Sequence, residues 1–208
     1  MVIDWYFDFI SPYAYLQSRR LDPLLAAGEV RLRPILFAAL LDHWGQKGPA
    51  EIPPKRIFTY QQVQWLARCL GVPLKLPTAH PFNPLRLLRL AIHLQCGMPV
   101  VQRLFDFVWR DGHIPEDTAA WNQLTDELGV PDADAVIAHD TIKTTLRKNT
   151  DEAIAAGVFG VPTVLVDDRV FWGNDATQMA CDYLADPRPF KEDVARILAL
   201  PTAARRRK

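Results

Sequence analysis

Cysteine is scarce in this sequence, and the three present, Cys69, Cys96 and Cys181, lie far apart with no Cys-x-x-Cys pair. An odd number of scattered thiols excludes a disulfide framework and a local dithiol redox centre. Each is read as a small apolar side chain rather than a reactive one. Charge of one sign is also missing, since Lys plus Arg and Asp plus Glu both number 24. A chain without a net field has no general attraction for nucleic acid or an anionic membrane. The one run of like charge, Arg205 to Lys208, follows Pro201 and small residues and reads as a frayed tail. No window approaches the ~18 uncharged apolar residues that span a bilayer. Asp4 and Asp8 interrupt the first apolar stretch, so no signal peptide is visible, and a soluble, cytoplasmic protein is expected. His43, His80, His93, His113 and His139 show no ligand spacing, and there is no glycine-rich phosphate loop. Neither a metal nor a nucleotide is expected.

What is present is enough apolar material, 49% of 208 residues, to bury a sizeable core. Ile3, Trp5, Phe7 and Phe9 recur at period two and predict an opening strand. Ser11 before Pro12 is a helix start, with serine as N-cap and proline in the first turn, and the helix is expected to run through Leu16, Leu21 and Leu24 to about Ala27. A second strand follows at Val30 to Leu36. Strand, helix and strand of these lengths make a parallel βαβ unit. From about Ala38 to Asn149 the pattern is helical, with segments near Arg56–Leu70, Pro84–Gln95, Val100–Arg110, Thr118–Leu128 and Ala133–Asn149. Strand signals return at Thr163 to Val166 and Val170 to Trp172, turning at Asp167-Asp168-Arg169, and helices close the chain. The expectation is an α/β, thioredoxin-like fold split by a large all-helical insertion: 1–38 and 150–208 form the discontinuous thioredoxin-like domain, 39–149 the insertion.

Three segments carry chemistry. Ser11-Pro12-Tyr13-Ala14 sits where a thioredoxin fold holds its Cys-x-x-Cys, with the free N–H groups of a helix start. Serine and alanine there cannot cycle through a disulfide. Ser11 is either a helix cap alone or a hydroxyl that donates to a thiolate brought by another molecule. Gly157 to Thr163 puts Val161-Pro162 directly before the third strand, where a cis proline would expose the Val161 backbone to a bound peptide. Phe171-Trp172-Gly173-Asn174-Asp175 ends the last strand; Asn174 or Asp175 either caps the next helix or binds a charged ligand end.

Together these residues resemble the 2-hydroxychromene-2-carboxylate isomerase family, relatives of kappa-class glutathione transferases in the wider Dsb-like group. The resemblance is carried by Phe7 to Tyr15, Gly48 to Arg56, Pro81 to Arg86, Gly157 to Thr163 and Phe171 to Asp175, in order along nearly the whole chain. It implies a glutathione-dependent isomerase of aromatic enone acids, with glutathione regenerated each cycle and Ser11 catalytic. Val161, next to Pro162, would bind the cysteinyl backbone, and Asn174 and Asp175 the γ-glutamyl group. Gln46 and Lys55 would sit in a loop over the site, with Lys55 meeting an anionic group. Tyr13, Trp44 and Phe82 would wall a planar substrate, a small aromatic carboxylate, beside Asn83. Homodimerisation is implied in the same way. Two other functions fit the residues: a kappa-like, thiol-conjugating transferase, and a catalytically silent binding module that kept the scaffold.

Overall fold

In the computed structural model, which describes residues 1–201, the alternation of the opening residues produces β1 (Val2–Phe7). Ile3, Trp5, Phe7 and Phe9 are all fully buried in the main core, while Tyr6 turns to a second cluster on the opposite face with Ile35, Leu40 and Val161. A strand buried on both faces must be central, and β1 pairs on both edges. It runs parallel to β2 (Glu29–Pro34) with Trp5 opposite Leu32, and antiparallel to β3 (Thr163–Val166) with Trp5 opposite Val164. β4 (Arg169–Trp172) completes the order β2-β1-β3-β4. This is the expected α/β thioredoxin-like fold. The β3–β4 turn is two residues, Asp167 and Asp168, at φ +48° and +61°. Such left-handed turns match the twist of a hairpin, and short polar side chains tolerate them. Arg169, expected in the turn, is already strand.

The expected first helix is two. α1 (Pro12–Ser18) stops before α2 (Asp22–Ala27), because Pro23 has no N–H to continue the ladder and its ring would clash one turn back. Between β2 and β3 the described chain is helical: α3 (Phe37–Trp44), a 3₁₀ turn (Pro49–Glu51), α4 (Pro53–Leu70), α5 (Leu85–His93), α6 (Met98–Trp109), α7 (Thr118–Glu127), α8 (Ala133–Val136) and α9 (Asp140–Ala155). The last two were expected as one. His139 is extended (φ −61°, ψ 138°) and caps α9, with Asp140 favourably placed in its first turn. After β4 come a 3₁₀ turn (Asn174–Ala176), α10 (Thr177–Ala185) and α11 (Arg188–Leu198). The basic run Arg205 to Lys208 lies outside the described residues.

The main core is continuous from the sheet into these helices. Phe105 of α6 sits among Trp5, Phe7 and Phe9, with ring centroids 4.7 to 6.2 Å apart. Two buried indoles find acceptors: Trp5 Nε1 donates to Gln17 Oε1 (2.7 Å) and Trp109 Nε1 to the Phe9 carbonyl (2.8 Å). All three cysteines are free. Burial pushes the Cys96 thiol up to about 11, in keeping with an apolar role, but Cys69 is exposed, not buried as its apolar character suggested. Among the described residues no helix is long and apolar enough to cross a membrane, and no group of His, Cys, Asp or Glu could hold a metal.

Candidate active site

Ser11 closes the turn between β1 and α1. Its N–H donates to the Asp8 carbonyl (3.1 Å), and its backbone is extended (φ −92°, ψ 115°), as an N-cap requires. The hydroxyl oxygen accepts from the Ala14 N–H (3.2 Å), and its proton points towards the Val161 carbonyl at 3.4 Å, a long and weak contact. The Val161–Pro162 peptide is cis. Two loops remote in sequence thus meet at one hydroxyl, on a residue that is 7% exposed.

That hydroxyl opens on a cavity of about 540 Å³, the size of a small-molecule site. One side is the end of the sheet and its loops: Ser11, Val161, Gly160, Leu36 and Phe37. The other is Gln46, Lys47, Lys55, Arg56, Thr59 and Tyr60 around the start of α4, with His80, Phe82 and Asn83 at the end. Of the residues expected at the site, Ser11, Tyr13, Gln46, Lys55, Phe82, Asn83 and Val161 line this cavity. Tyr13 is locked by donating to Gln62 Oε1 (2.6 Å). Asn83 spends its side-chain oxygen on the Leu85 N–H (3.0 Å), which starts α5. Trp44 is not a wall: it lies outside the lining, half exposed, because its indole turns to donate to the Val158 carbonyl (2.9 Å).

Pro162, Asn174 and Asp175 also lie outside the lining. Asn174 and Asp175 do not cap α10 with their side chains; they form the 3₁₀ turn before it. This turn is tied to α1 by the fully buried Gln17, whose amide donates to the Gly173 carbonyl (3.1 Å) and Thr177 Oγ1 (2.9 Å). Gly173 is required there, at φ +100°, and a Cβ would lie 2.4 Å from Asp175 Oδ1. Asn174 is buried, and its side-chain oxygen has no hydrogen-bond partner among the described residues. Asp175 is exposed and close enough to Tyr13 to raise its phenol pKa further, on top of the larger effect of burial.

Residues that sequence reasoning passed over complete the site. Asp8 is fully buried, and its carboxyl accepts from the N–H groups of Ile10 (3.1 Å) and Phe37 (2.9 Å), fastening the Ser11 turn to the start of α3. Burial outweighs those bonds and pushes its pKa up to about 7. Asp8 was visible as one of two acids in the opening apolar stretch and as a member of the Phe7 to Tyr15 segment, with no role of its own assigned to it. His80 and Tyr60 are bonded to each other at the cavity wall, 2.7 Å apart. Their signal was the position of His80 directly before the Pro81 to Arg86 segment, while Tyr60 stands one helical turn after Arg56. Phe159 and Trp172 pair edge to face (5.1 Å) at the mouth, and Trp172 lies so close over Gly160 that a Cβ there would meet its indole nitrogen at 2.4 Å.

A thioredoxin scaffold with serine in place of the redox cysteine, facing a largely apolar cavity, defines a non-disulfide member of its class. The DSBA-like thioredoxin domain family matches residues 2–185. A 2-hydroxychromene-2-carboxylate isomerase of Sphingobium xenophagum is 31% identical over 193 residues, covering 88% of this chain and 98% of that protein. Glutathione S-transferase kappa 2 of Caenorhabditis elegans is 26% identical, over 89% of this chain and 92% of its own. A solved 2-hydroxychromene-2-carboxylate isomerase superposes with a TM-score of 0.80 at 25% identity, over 93% of this chain and 99% of that one. The chain belongs to the DSBA-like thioredoxin family and, within it, is an enzyme of the 2-hydroxychromene-2-carboxylate isomerase family.

Proposed function

We propose that the protein is a glutathione-dependent isomerase of 2-hydroxychromene-2-carboxylate-type aromatic enone acids, with Ser11 stabilising the glutathione thiolate. The observation that carries this reading is the buried Ser11 at the redox-cysteine position, opening on a largely apolar cavity. Its proton is held only by a 3.4 Å contact to Val161, so it is available to a stronger acceptor. A sulfur anion is such an acceptor.

The fit to glutathione rests on the unpartnered oxygen of Asn174, a buried acceptor that an ammonium group would satisfy, beside the carboxylate of Asp175. The Val161 peptide, with Pro162 following, offers a backbone partner to the cysteinyl unit, and Gln46 and Lys55 stand at the rim for its anionic end. When bound, glutathione supplies a thiol nucleophile that adds reversibly to a conjugated system and is recovered each cycle. Ser11 lowers the cost of ionising a thiol whose pKa is otherwise about 8.5. Tyr13, Phe82 and Asn83 bound the space for a planar aromatic acid, whose carboxylate meets Lys55.

In this reading the thioredoxin-like domain (1–38 and 150–208) holds glutathione, the insertion (39–149) shapes the substrate side, and the enzyme is a cytoplasmic homodimer. The kappa transferase relative supports conjugation as the second reading. Absorbance-monitored isomerisation of 2-hydroxychromene-2-carboxylate with and without glutathione decides between them. Glutathione-dependent turnover is expected; binding of glutathione without turnover would move the reading to conjugation, and no glutathione binding at all would leave a silent module.

A further inference from the structure

In the cavity lining, a phenol and an imidazole form a chain of hydrogen bonds that ends on the residue before Ser11. The Tyr60 hydroxyl lies 2.7 Å from His80 Nδ1, and His80 Nε2 lies 2.8 Å from the Ile10 carbonyl oxygen. A carbonyl only accepts, so Nε2 carries the hydrogen. In a neutral ring Nδ1 is then an acceptor, and Tyr60 donates to it. Burial holds the imidazole below its ordinary pKa, against the Ile10 bond and with help from the Arg56 charge, which keeps the ring neutral near pH 7. The ring is also fixed by edge contacts to Trp109 (5.4 Å) and Phe82 (6.1 Å). Both Tyr60 and His80 line the cavity.

This arrangement does more than anchor a loop. The Ile10 bond alone would hold His80 in place, yet the phenol adds a polar group that faces the cavity with its proton directed away. Its oxygen is left to accept a hydrogen from whatever binds there, and its own proton has a waiting acceptor in Nδ1. A group that takes a proton on one side and hands one on from the other is a relay.

We propose that Tyr60 and His80 form a proton relay for the substrate hydroxyl, a role that rests on the isomerase reading and adds a second catalytic group to Ser11. The hydroxyl on the carbon that also bears the ring oxygen gives its proton to Tyr60 Oη as the Tyr60 proton moves to His80 Nδ1. The O–H bonding pair becomes the π bond of a new carbonyl. The ring C–O bond breaks, and its pair stays on the aryl oxygen as a phenolate. The proton then returns from Nδ1 through Tyr60 to that aryl oxygen, giving a phenol and the starting relay. One tyrosine serves both oxygens because they share a carbon until the bond breaks. No oxidant or other co-reactant enters this step, and throughout it His80 Nε2 keeps its bond to Ile10.

The test pairs kinetics with a binding readout that needs neither glutathione nor turnover. Tyr60→Phe keeps the ring and its packing and removes only the hydroxyl. It is expected to lower kcat by about 100-fold with KM within a few-fold of wild type. The probes are 2-hydroxycinnamate and cinnamate, identical but for the phenol, titrated into the free protein. Wild type is expected to prefer the hydroxylated probe by about tenfold, an ordinary hydrogen-bond increment, and Tyr60→Phe and His80→Asn to lose the preference while still binding cinnamate as wild type does. A purely structural role would weaken both probes alike. Equal binding of both probes by wild type, or a preference and kcat that survive in Tyr60→Phe, overturns the relay. Wild type that keeps the Tyr60-dependent preference but shows no glutathione-dependent turnover sinks the isomerase reading and leaves the hydroxyl-binding pair standing.

Discussion

On the sheet side of the cavity the polar groups are fixed by backbone: Ser11 is capped onto α1, Asp8 is bonded to two peptide N–H groups, and Gln17 holds the Gly173 turn. On the α4 side they are side chains, with Lys55 and Arg56 exposed at the rim and Tyr60 and His80 holding each other. The sheet side is fastened by these backbone bonds, with the Asn174 side-chain oxygen left without a partner among the described residues. On the helical side the exposed rim residues Lys55 and Arg56 can change without disturbing the strands, whereas His80 is tied to the Ile10 carbonyl. In the proposed reading the fixed Ser11 hydroxyl belongs to the first side, and the second carries both the Tyr60–His80 pair and the residues that meet the substrate.

Substitutions on each side should therefore fail differently. Ser11→Ala is expected to lose at least about 10²-fold in kcat, as loss of one donor to a developing or held anion does. It should cost only about 1 kcal/mol of stability for the missing cap. Kinetics and a denaturant midpoint on the same sample check both, and full activity would break the contrast at its strongest point. Asp8 gives a slope rather than a step. Its carboxyl is held near 7 in the folded chain and near 3.8 when unfolded, so the native state binds the extra proton between those values. Stability contributed by this group is complete below about pH 4 and falls by up to about 1.4 kcal/mol per pH unit as pH rises towards 7. Asp8→Asn should flatten that part of the stability profile, measured by thermal or urea unfolding against wild type.

Gln17→Leu leaves the Trp5 indole N–H and the Gly173 carbonyl without their partner, and should cost about 1–3 kcal/mol. It should also weaken glutathione binding, read by calorimetry, since the Asn174–Asp175 turn loses its tie to α1. The smallest effect belongs to the rim. Lys55→Gln is expected to raise KM for an anionic substrate by about two- to fivefold, with kcat and stability unchanged, because an exposed charge contributes under about 1 kcal/mol.

The same division decides what could be read from the sequence. The strands were legible because Ile3, Trp5, Phe7 and Phe9 are alternate and because the Asp167-Asp168 turn is local chemistry. Ser11 and Val161 were legible because strand order alone brings them together. The break at Pro23 was written in the chain and passed over, outweighed by the apolar spacing of Leu16, Leu21 and Leu24. The pairing of Tyr60 with His80 was not legible, because they lie twenty positions apart in sequence and the imidazole is placed by contacts remote from both, the Ile10 carbonyl and the Trp109 ring. Trp44 had the composition of a wall residue, but its indole hydrogen found an acceptor at Val158 and turned it out of the cavity.

Gly160 offers a handle of a different kind. Its backbone is ordinary, so the ban on a side chain there comes only from the indole of Trp172 lying 2.4 Å from where a Cβ would be. Trp172 is itself 54% exposed, leaning on Phe159 at the mouth. For an engineer the pair behaves as a single adjustable latch: trimming Trp172 makes room for larger residues at position 160, and the width of the entrance can be tuned over a range of side-chain sizes without replacing Ser11.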